Sequence, residues 1–378
     1  MTIVFVSVVL NIHQVGIADE LYYLTNGSFW FIETGNTDGD NNKGGDSNTF
    51  KKRPYLIAGN NFAYKEKVNN LILNADVMIY GAAPLTYLKE RVKTSKLTFL
   101  YSEHWFKQGW KNLFSPNLIK QMWLYHTKCH NKPLYLLGAS AYAAKDFNLM
   151  GAFKDKAFKW GYFTQCPDLN IENVLRDKSN DCKIRILWCG RFIDWKHPEV
   201  MVSLAEKLRD LNIDFQINMI GTGTLYGKIL LGVQEKGLKN YINLLGSMPN
   251  TEVTRIMQTQ HIACFTSDRN EGWGAVLNEA MSRGCCPVSS IDTGSTPYLI
   301  TNGVNGLSFN LRKENDLFNR VLWLIQNPKE LERMTIEAYR TIHDVWSPQN
   351  AANNFYKLAE SILNGTPIII NNGPCSKA

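Results

Sequence analysis

A loop and helix near residue 270 place two carboxylates on either side of a Gly-Trp-Gly segment. Residues 268–287 read DRNEGWGAVLNEAMSRGCCP, with Glu271 before the glycines and Glu279 within a helix that Gly284 ends. The backbone N–H groups at the start of a helix attract anions. The groups in question belong to Gly272, Trp273, Gly274 and Ala275. This end of the helix is therefore a predicted anion site, of a kind that suits a diphosphate.

The two carboxylates suggest that the anion comes with hydroxyl groups. Glu271 would repel a diphosphate unless hydroxyl donors, such as those of a sugar, occupied its oxygens. Glu279 lies at the end of the first helical turn, displaced along the axis by a distance that suits the ribose of the same nucleotide. The alternative is that acidic residues favour helix N-termini without any ligand.

A second segment carries two cations after a predicted strand. In ILWCGRFIDWKHPEV the strand ends at Gly190, and Arg191 and Lys196 follow before Pro198 begins a helix. Strand ends in parallel sheets face the ligand crevice, so both cations could reach one diphosphate. Ordinary surface charge is the alternative interpretation.

The segment FQINMIGTGTLYGK contains Gly221, Gly223 and Gly227 after another predicted strand. The third glycine comes one residue too late for a dinucleotide-binding fingerprint, which disfavours an oxidoreductase of that type. Small residues here permit close approach of the backbone to a ligand, and a tight turn explains them as well.

The elements that position these residues alternate between strands and helices. Short apolar runs separated by helical patterns predict parallel sheets in an α/β protein. The first run, TIVFVSVVL, is interpreted as a buried strand, because it is too short to span a membrane and has no basic leader. The predicted divisions are a first domain at 1–165, a linker at 166–182, a second domain at 183–346 and a closing helix at 347–365.

Composition indicates a globular chain of two domains with an uneven charge. The 378 residues are 44% hydrophobic and 20% charged, and the eight cysteines show no disulfide spacing, which predicts a reducing, cytoplasmic compartment. Residues 1–165 hold 19 basic and 12 acidic side chains, whereas the remainder holds 22 of each. The run KERVKTSK, with Lys89, Arg91, Lys93 and Lys96, is either a solvated helix face or a surface for anionic lipid. No nucleic-acid-binding module accompanies this charge.

The sequence predicts no metal site. The polar loop TGNTDGDNNKGGDSN at 34–48 contains an Asp-Gly-Asp but fails the calcium-loop pattern. His126, Cys129 and His130 lack a fourth ligand at matching spacing.

Taken together, the motifs resemble those of a known family. EGWGAVLNEAMSRG resembles the E-x7-E motif of the family 4 retaining glycosyltransferases, and three more elements match in order. These are Gly190-Arg191 with Lys196, the Gly-Thr-Gly at 221–223, and GSTPYLITNGVNGLSF at 294–309. The match covers residues 183–345 and implies the GT-B fold, with two Rossmann-like domains whose parallel sheets face a central cleft.

The resemblance implies a role for each site residue. Arg191 and Lys196 would bind the diphosphate, Glu279 the ribose and Glu271 the transferred sugar. Backbone between Leu245 and Met248 would face the base. The implied reaction is retaining, metal-independent transfer from a UDP- or GDP-sugar to a saccharide or lipid-linked saccharide in polysaccharide or glycoconjugate assembly.

The first half resembles bacterial polysaccharide-assembly members through NIHQ, YSEHWFKQG and ASAYAAKDF. The usual paired glycines after the first strand are absent, and no His-Asp follows KLTFLYS, where Glu103 or His104 is the candidate substitute. The acidic position expected near Pro297 is also absent. Acceptor-side candidates are Asn11, His13, Gln14, Gly16, Glu103 and His104.

Three other functions remain open at this point. The chain could be an epimerase or a phosphorylase on the same fold, or a non-catalytic nucleotide-sugar-binding subunit. The presence of both cations and both carboxylates argues against the subunit. The basic first half adds the hypothesis of peripheral attachment to the inner face of a membrane.

Overall fold

The structure is a computed structural model that describes residues 1–35, 52–179 and 183–378. Nearly all of the polar loop predicted at 34–48, including its Asp-Gly-Asp, lies outside the described residues. The chain divides into two compact units, one formed by 1–165 with 345–378 and the other by 166–344.

The first unit contains a parallel sheet with the strand order β3-β2-β1-β4-β5-β6-β7 among its described residues. Its elements in chain order are β1 (Ile3–Ser7), α1 (Ile12–Leu24), β2 (Phe29–Glu33), β3 (Leu56–Ala58), α2 (Lys65–Asn74), β4 (Val77–Tyr80), α3 (Leu85–Lys93), β5 (Leu97–Ser102), α4 (Pro116–Thr127), β6 (Leu134–Gly138), α5 (Ala143–Leu149) and β7 (Ala157–Lys159).

The second unit contains a parallel sheet with the order β10-β9-β8-β11-β12-β13. Its elements are α6 (Ile171–Ser179), β8 (Ile184–Cys189), α7 (Glu199–Asp210), β9 (Phe215–Ile220), α8 (Tyr226–Glu235), β10 (Ile242–Gly246), α9 (Asn250–Gln258), β11 (Ile262–Phe265), α10 (Val276–Ser282), β12 (Cys286–Ser290), α11 (Thr296–Leu299), β13 (Leu307–Phe309), α12 (Asp316–Gln326) and α13 (Pro328–Arg340).

The central strands are apolar runs because helices cover both faces of each sheet. β1, β11 and β12 are buried along their whole lengths, including the serines at the ends of β1 and β12. In each sheet the first strand has the second strand on one side and a later strand on the other. Each unit is therefore doubly wound and has its own topological switch point.

The segment at 166–182, predicted as a linker, contains helix α6. This helix packs within the second unit, where Val174 and Lys178 are buried. The Lys178 ammonium donates a hydrogen bond to the Gly284 carbonyl at 2.5 Å. The amphipathic pattern of α6 is not evident from the sequence, because one of its buried positions, 178, is a lysine rather than an apolar residue.

The last helix, α14 (Pro348–Asn364), belongs to the first unit and packs on α1. Ser347 caps it by accepting a hydrogen bond from the Asn350 N–H, and Gly365 follows it in a left-handed conformation. Gly16 of α1 lies directly against Pro348, where an added Cβ would meet the proline Cγ at 3.0 Å.

The basic run on α3 differs from its predicted role, because Arg91 is fully buried. Its guanidinium donates to the carbonyls of four residues and to one hydroxyl: Ile72, Ala75, Asp76, Leu97 and Thr98. Lys93 pairs with Glu90, and Lys96 donates to the Asn74 carbonyl at 2.6 Å. The run is therefore neither a uniformly solvated face nor a free basic surface.

Candidate functional site

The carboxyl ends of β8 and β11 form the switch point of the second sheet. β9 and β10 lie on one side of β8, whereas β11, β12 and β13 lie on the other. Loops that leave such neighbouring strands diverge and leave a crevice for a ligand. The loop after β8 carries Arg191 and Lys196, and the loop after β11 carries Glu271. Arg191, Lys196 and Glu271 therefore lie on loops that leave the sheet at the same switch point.

An ion pair between Lys196 and Glu271 joins the two loops. The lysine Nζ lies 2.5 Å from the Glu271 Oε2, and the two side chains are 11% and 17% exposed. The ammonium also lies 5.1 Å from the centre of the Phe265 ring. Because so little water reaches the pair, removal of either partner alone is unfavourable. A ligand that brings both an anion and hydroxyl donors offers each partner a replacement.

Backbone and hydroxyl contacts hold the two loops together beneath this pair. The Thr266 hydroxyl donates to the Lys196 carbonyl at 2.5 Å and accepts a hydrogen bond from the Trp188 indole at 2.8 Å. The Asp268 N–H donates to the Trp195 carbonyl at 2.9 Å. The position of the lysine is thus fixed by the core of the sheet.

His197 adds a bridge that sequence reasoning missed. Its Nδ1 lies 3.0 Å from Glu199 Oε1, and its Nε2 lies 3.3 Å from Asp268 Oδ2. The hydrogen bond with Glu199, and the two carboxylates more generally, raise the pKa of this histidine above its usual value. The residue lies next to Lys196 in sequence, but its two partners come from different elements, so only the fold reveals the bridge.

Glu279 is buried inside the second unit. It is 8% exposed, and its Oε1 accepts a long 3.5 Å hydrogen bond from the Asn250 side chain. Loss of hydration raises the pKa of this carboxyl to about 7, and the Asn250 contact and Arg283 oppose the shift. A hydroxyl donor at this carboxylate would favour its ionised form.

The Gly-Trp-Gly segment is built into the core. Trp273 is fully buried, and its indole N–H donates to Asn278 Oδ1 at 2.8 Å. This side chain therefore attaches the loop to α10, and it offers no surface to a ligand. Gly272 and Gly274 are buried, and Ala275 is the N-cap of α10, without a side-chain capping hydrogen bond.

The Gly-Thr-Gly segment packs against the loop that carries the cations. Gly221 has a φ of +128°, and an added Cβ would lie 2.0 Å from the Gly190 carbonyl oxygen. Gly223 has a φ of +155°, and an added Cβ would lie 2.5 Å from the Phe192 carbonyl oxygen. Both positions exclude side chains for a structural reason. The glycines let the ends of β8 and β9 lie side by side.

The end of β10 continues this row of strand ends. The Gly221 N–H donates to the Gly246 carbonyl at 2.8 Å, and the Gly190 N–H donates to the Ile220 carbonyl at 3.0 Å. Leu245 is 39% exposed there, and Met248 is half-buried against the core. The segment predicted to face the base thus lies on the same side of the switch point as the Gly-Thr-Gly segment.

The first unit has a cavity of about 430 Å³ at its own switch point. Loops after β1, β4 and β5 line it, together with tyrosines at 80, 101, 125 and 162. Three acceptor-side candidates, Asn11, Gln14 and Glu103, contribute to the lining. Glu103 accepts a hydrogen bond from the Tyr162 hydroxyl at 2.7 Å and pairs with Lys107.

The other acceptor-side candidates lie outside the lining of this cavity. His13 stacks on Tyr162 with ring centres 5.6 Å apart, and burial lowers its pKa to about 4. His104 is buried, with its Nδ1 2.8 Å from the Ser140 hydroxyl. Gly16 belongs to the contact between α1 and α14.

In the described part of the chain, no group of three or more His, Cys, Asp or Glu side chains is arranged to hold a metal ion. His126 instead lies with its Nε2 2.7 Å from the Met150 carbonyl, and Cys129 is buried in the core of the first unit.

Two doubly wound parallel sheets, each in its own unit, match the GT-B fold of solved glycosyltransferase structures. The predicted fold class is confirmed. Residues 172–341 match the family described as Glycosyl transferases group 1, so this segment is similar to members of that family.

Two curated relatives match parts of the chain. An uncharacterized glycosyltransferase of Methanocaldococcus jannaschii is 33% identical over 142 residues, 37% of this chain and 38% of the relative. A D-inositol 3-phosphate glycosyltransferase of Thermobifida fusca is 24% identical over 180 residues, 45% of this chain and 41% of the relative. The chain thus spans only about two fifths of the length of these relatives.

A solved structure supports the fold over the whole chain. HepE of Anabaena, in complex with UDP, aligns with a TM-score of 0.69 at 13% identity. The alignment covers 96% of this chain and 100% of HepE. At this identity the likeness concerns the fold alone.

Proposed function

We propose that the protein is a retaining glycosyltransferase that moves a sugar from a nucleoside diphosphate sugar to a saccharide or lipid-linked saccharide. The observation that carries the proposal is the Lys196–Glu271 pair, which is largely buried between the two loops at the switch point. Cation and carboxylate match the two parts of such a donor, because the diphosphate is anionic and the sugar presents hydroxyl groups.

Donor binding would redistribute this pair. Lys196 and Arg191 take the diphosphate, and Glu271 accepts hydrogen bonds from the sugar. When the bond between the anomeric carbon and the diphosphate breaks, its electrons pass to the diphosphate, whose growing charge both cations stabilise. The acceptor hydroxyl forms the new bond on the same face of the sugar, and its proton leaves with the diphosphate. Glu271 stabilises the positive charge on the sugar.

The remaining contacts of the donor follow the row of strand ends. Glu279 accepts the ribose hydroxyls, a role that suits a buried carboxylate whose hydrogen bond to Asn250 is long. The backbone from Leu245 to Met248 faces the base. HepE was solved with UDP, which favours UDP over GDP as the nucleotide.

The acceptor binds on the side of the first unit in this proposal. Its cavity combines tyrosine rings, which stack on sugars, with the amides and carboxylate of Asn11, Gln14 and Glu103. A saccharide suits this mixture of apolar faces and hydrogen-bonding groups better than a wholly apolar ligand does.

We place the protein in the cytoplasm, attached to a membrane that carries the acceptor. The described cysteines are all unpaired, which suits a reducing compartment. No described helix has the length and apolar character needed to cross a bilayer. Attachment is therefore proposed through a surface.

The test uses the purified chain with a panel of nucleotide sugars. A thermal-shift screen identifies the donor, since a bound ligand raises the melting temperature. Release of nucleoside diphosphate is then measured with and without candidate saccharides. Release that depends on an acceptor, with retained anomeric configuration in the product, supports the proposal. If the nucleotide sugar binds but no acceptor causes release of nucleoside diphosphate, the result supports a non-catalytic subunit. Isomerisation of the donor sugar supports an epimerase.

A further inference from the structure

The positive charge of the first unit is concentrated in one segment. Between Glu103 and Asp146 the sequence contains no Asp or Glu and six lysines. The lysines are Lys107, Lys111, Lys120, Lys128, Lys132 and Lys145. This segment alone accounts for nearly the whole positive excess of the first 165 residues. The α3 run contributes little to a surface, because Arg91 is buried and Lys93 and Lys96 are engaged.

Large apolar side chains are exposed among these lysines. Phe114, just before α4, is 83% exposed, and Ile119 and Trp123 on α4 are 55% and 59% exposed. Ile119 and Trp123 are four residues apart in the helix, so they lie on the same face. Lys120 belongs to that face as well, and the Lys128 ammonium lies 5.8 Å from the centre of the Trp123 ring.

An apolar cavity of about 370 Å³ opens beside this helix face. Its walls include Trp105, Phe106, Leu118 and Met122, and Ile119 and Trp123 lie among its lining residues. Ile119 and Trp123 are therefore continuous with an apolar recess, which has room for part of an acyl chain.

We infer that this surface, termed the lysine–tryptophan face, docks onto a bilayer containing anionic phospholipid. The face consists of Lys111, Phe114, Ile119, Lys120, Trp123 and Lys128. The inference deepens the membrane-linked acceptor proposed above, but its test needs neither donor nor acceptor.

The chemistry of the face favours lipid over a protein partner. In the described part of the chain, no carboxylate pairs with Lys111, Lys120 or Lys128. Lysine is depleted in the cores of protein interfaces, whereas lysine beside tryptophan is typical of helices that lie at a membrane surface. Lysine ammonium groups bind lipid phosphates while the aromatic and aliphatic side chains enter the acyl boundary.

The test measures sedimentation of the full chain with vesicles of phosphatidylcholine, alone or mixed with phosphatidylglycerol. Three forms are compared: the unchanged protein, K111E/K120E/K128E, and K239E/K329E/K357E. The last is a matched control, because its three exposed lysines lie elsewhere and the change in net charge is the same. F114A/W123A tests the apolar part at constant charge.

We expect binding to mixed vesicles at low salt that weakens as salt is added. Reversal of the three face lysines should reduce the partition coefficient by at least about 100-fold, and F114A/W123A by about 10-fold. The control should retain most of the binding. Each variant is checked for folding by circular dichroism and for nucleotide binding.

Three results would overturn the inference. The first is no binding at low salt, and the second is equal loss of binding in the face and control variants. The third is a homodimer in light scattering that F114A/W123A dissociates, combined with no vesicle binding, because the face would then be a protein interface. If the unchanged protein binds no nucleotide, that result counts against the proposed function and not against this inference.

Discussion

The crevice of the second sheet is lined by charged side chains, whereas the corresponding cavity of the first sheet is lined by tyrosines, amides and one carboxylate that is already paired. Both lie at the switch point of a doubly wound sheet. Buried titratable groups differ too: burial raises the pKa of Glu279 to about 7, whereas it lowers the pKa of His13, which stacks on Tyr162 outside the cavity lining, to about 4. One topology thus supplies two sites of different chemistry, and side chains decide which ligand each can take.

The strongest test of this difference removes a charge from the second crevice without changing the size of the side chain. Glu271→Gln should lower turnover by roughly 10² to 10³, because the sugar loses charge stabilisation in the transition state. Nucleotide affinity should stay within a few-fold, since Lys196 remains available to the diphosphate. Steady-state kinetics and titration calorimetry measure the two quantities.

The matched control for this change is Glu252→Gln, at an exposed glutamate of α9 that pairs with Arg255. It should leave turnover unchanged. A large loss of nucleotide affinity in Glu271→Gln, with turnover at saturation intact, would contradict the assignment of Glu271 to the sugar.

Removal of the cation should affect binding more than chemistry at the sugar. Lys196→Met should weaken nucleotide affinity by about 10- to 100-fold, as expected for a lost charge-assisted hydrogen bond. The free protein should also lose stability, because the largely buried Glu271 would be left without its partner.

Denaturant unfolding of the double variant, Lys196→Met with Glu271→Gln, checks the second point. It should be less destabilised than the sum of the single variants, by about 1 to 3 kcal/mol. Simple additivity would show that the pair contributes nothing to the free protein.

Donor affinity should depend on pH through Glu279. In the proposed function, ribose hydroxyls donate to the ionised carboxylate, whose pKa in the free protein is about 7. Binding therefore releases a proton, and affinity should fall by about 10-fold between pH 8 and pH 6. Calorimetry in buffers of different ionisation enthalpy measures the proton released.

Glu279→Gln should bind the donor more weakly than the unchanged protein and lose most of this pH dependence. An unchanged pH profile in the variant would show that another group titrates on binding.

The smallest expected effect concerns the first unit. His13 has a pKa of about 4 in the folded protein, against 6.5 when unfolded, so the unfolded state binds more protons between these values. Stability should therefore fall as the pH drops below 6.5, by about 1 kcal/mol between pH 7 and pH 5.5. Thermal unfolding measures the stability of His13→Gln and of the unchanged protein at pH 7 and at pH 5.5. The loss of stability between the two pH values should be smaller in the variant. Equal differences would mean that a group other than His13 causes the pH dependence of stability.

The sequence predicts the sheets because their strands are mostly apolar runs separated by helical patterns, and it predicts the candidate site because cations and carboxylates follow strand ends. It does not reveal that Lys196 and Glu271 pair, since the residues are far apart in the chain. It also cannot show that Arg91 is buried, because its carbonyl acceptors come from α2, from β5 and from the turn before β4. Charge is visible in a sequence, but the partner that neutralises it is supplied by the fold.

Helix α10, which carries Glu279, is fastened at both ends. At its start the Trp273 indole bonds to Asn278, and at its end the Lys178 ammonium bonds to the Gly284 carbonyl. A short helix held in this way has little freedom to lose when a ligand arrives. Its backbone amides should exchange with solvent slowly even in the ligand-free protein, and the part of the site proposed to bind the ribose should then need little ordering when a nucleotide binds.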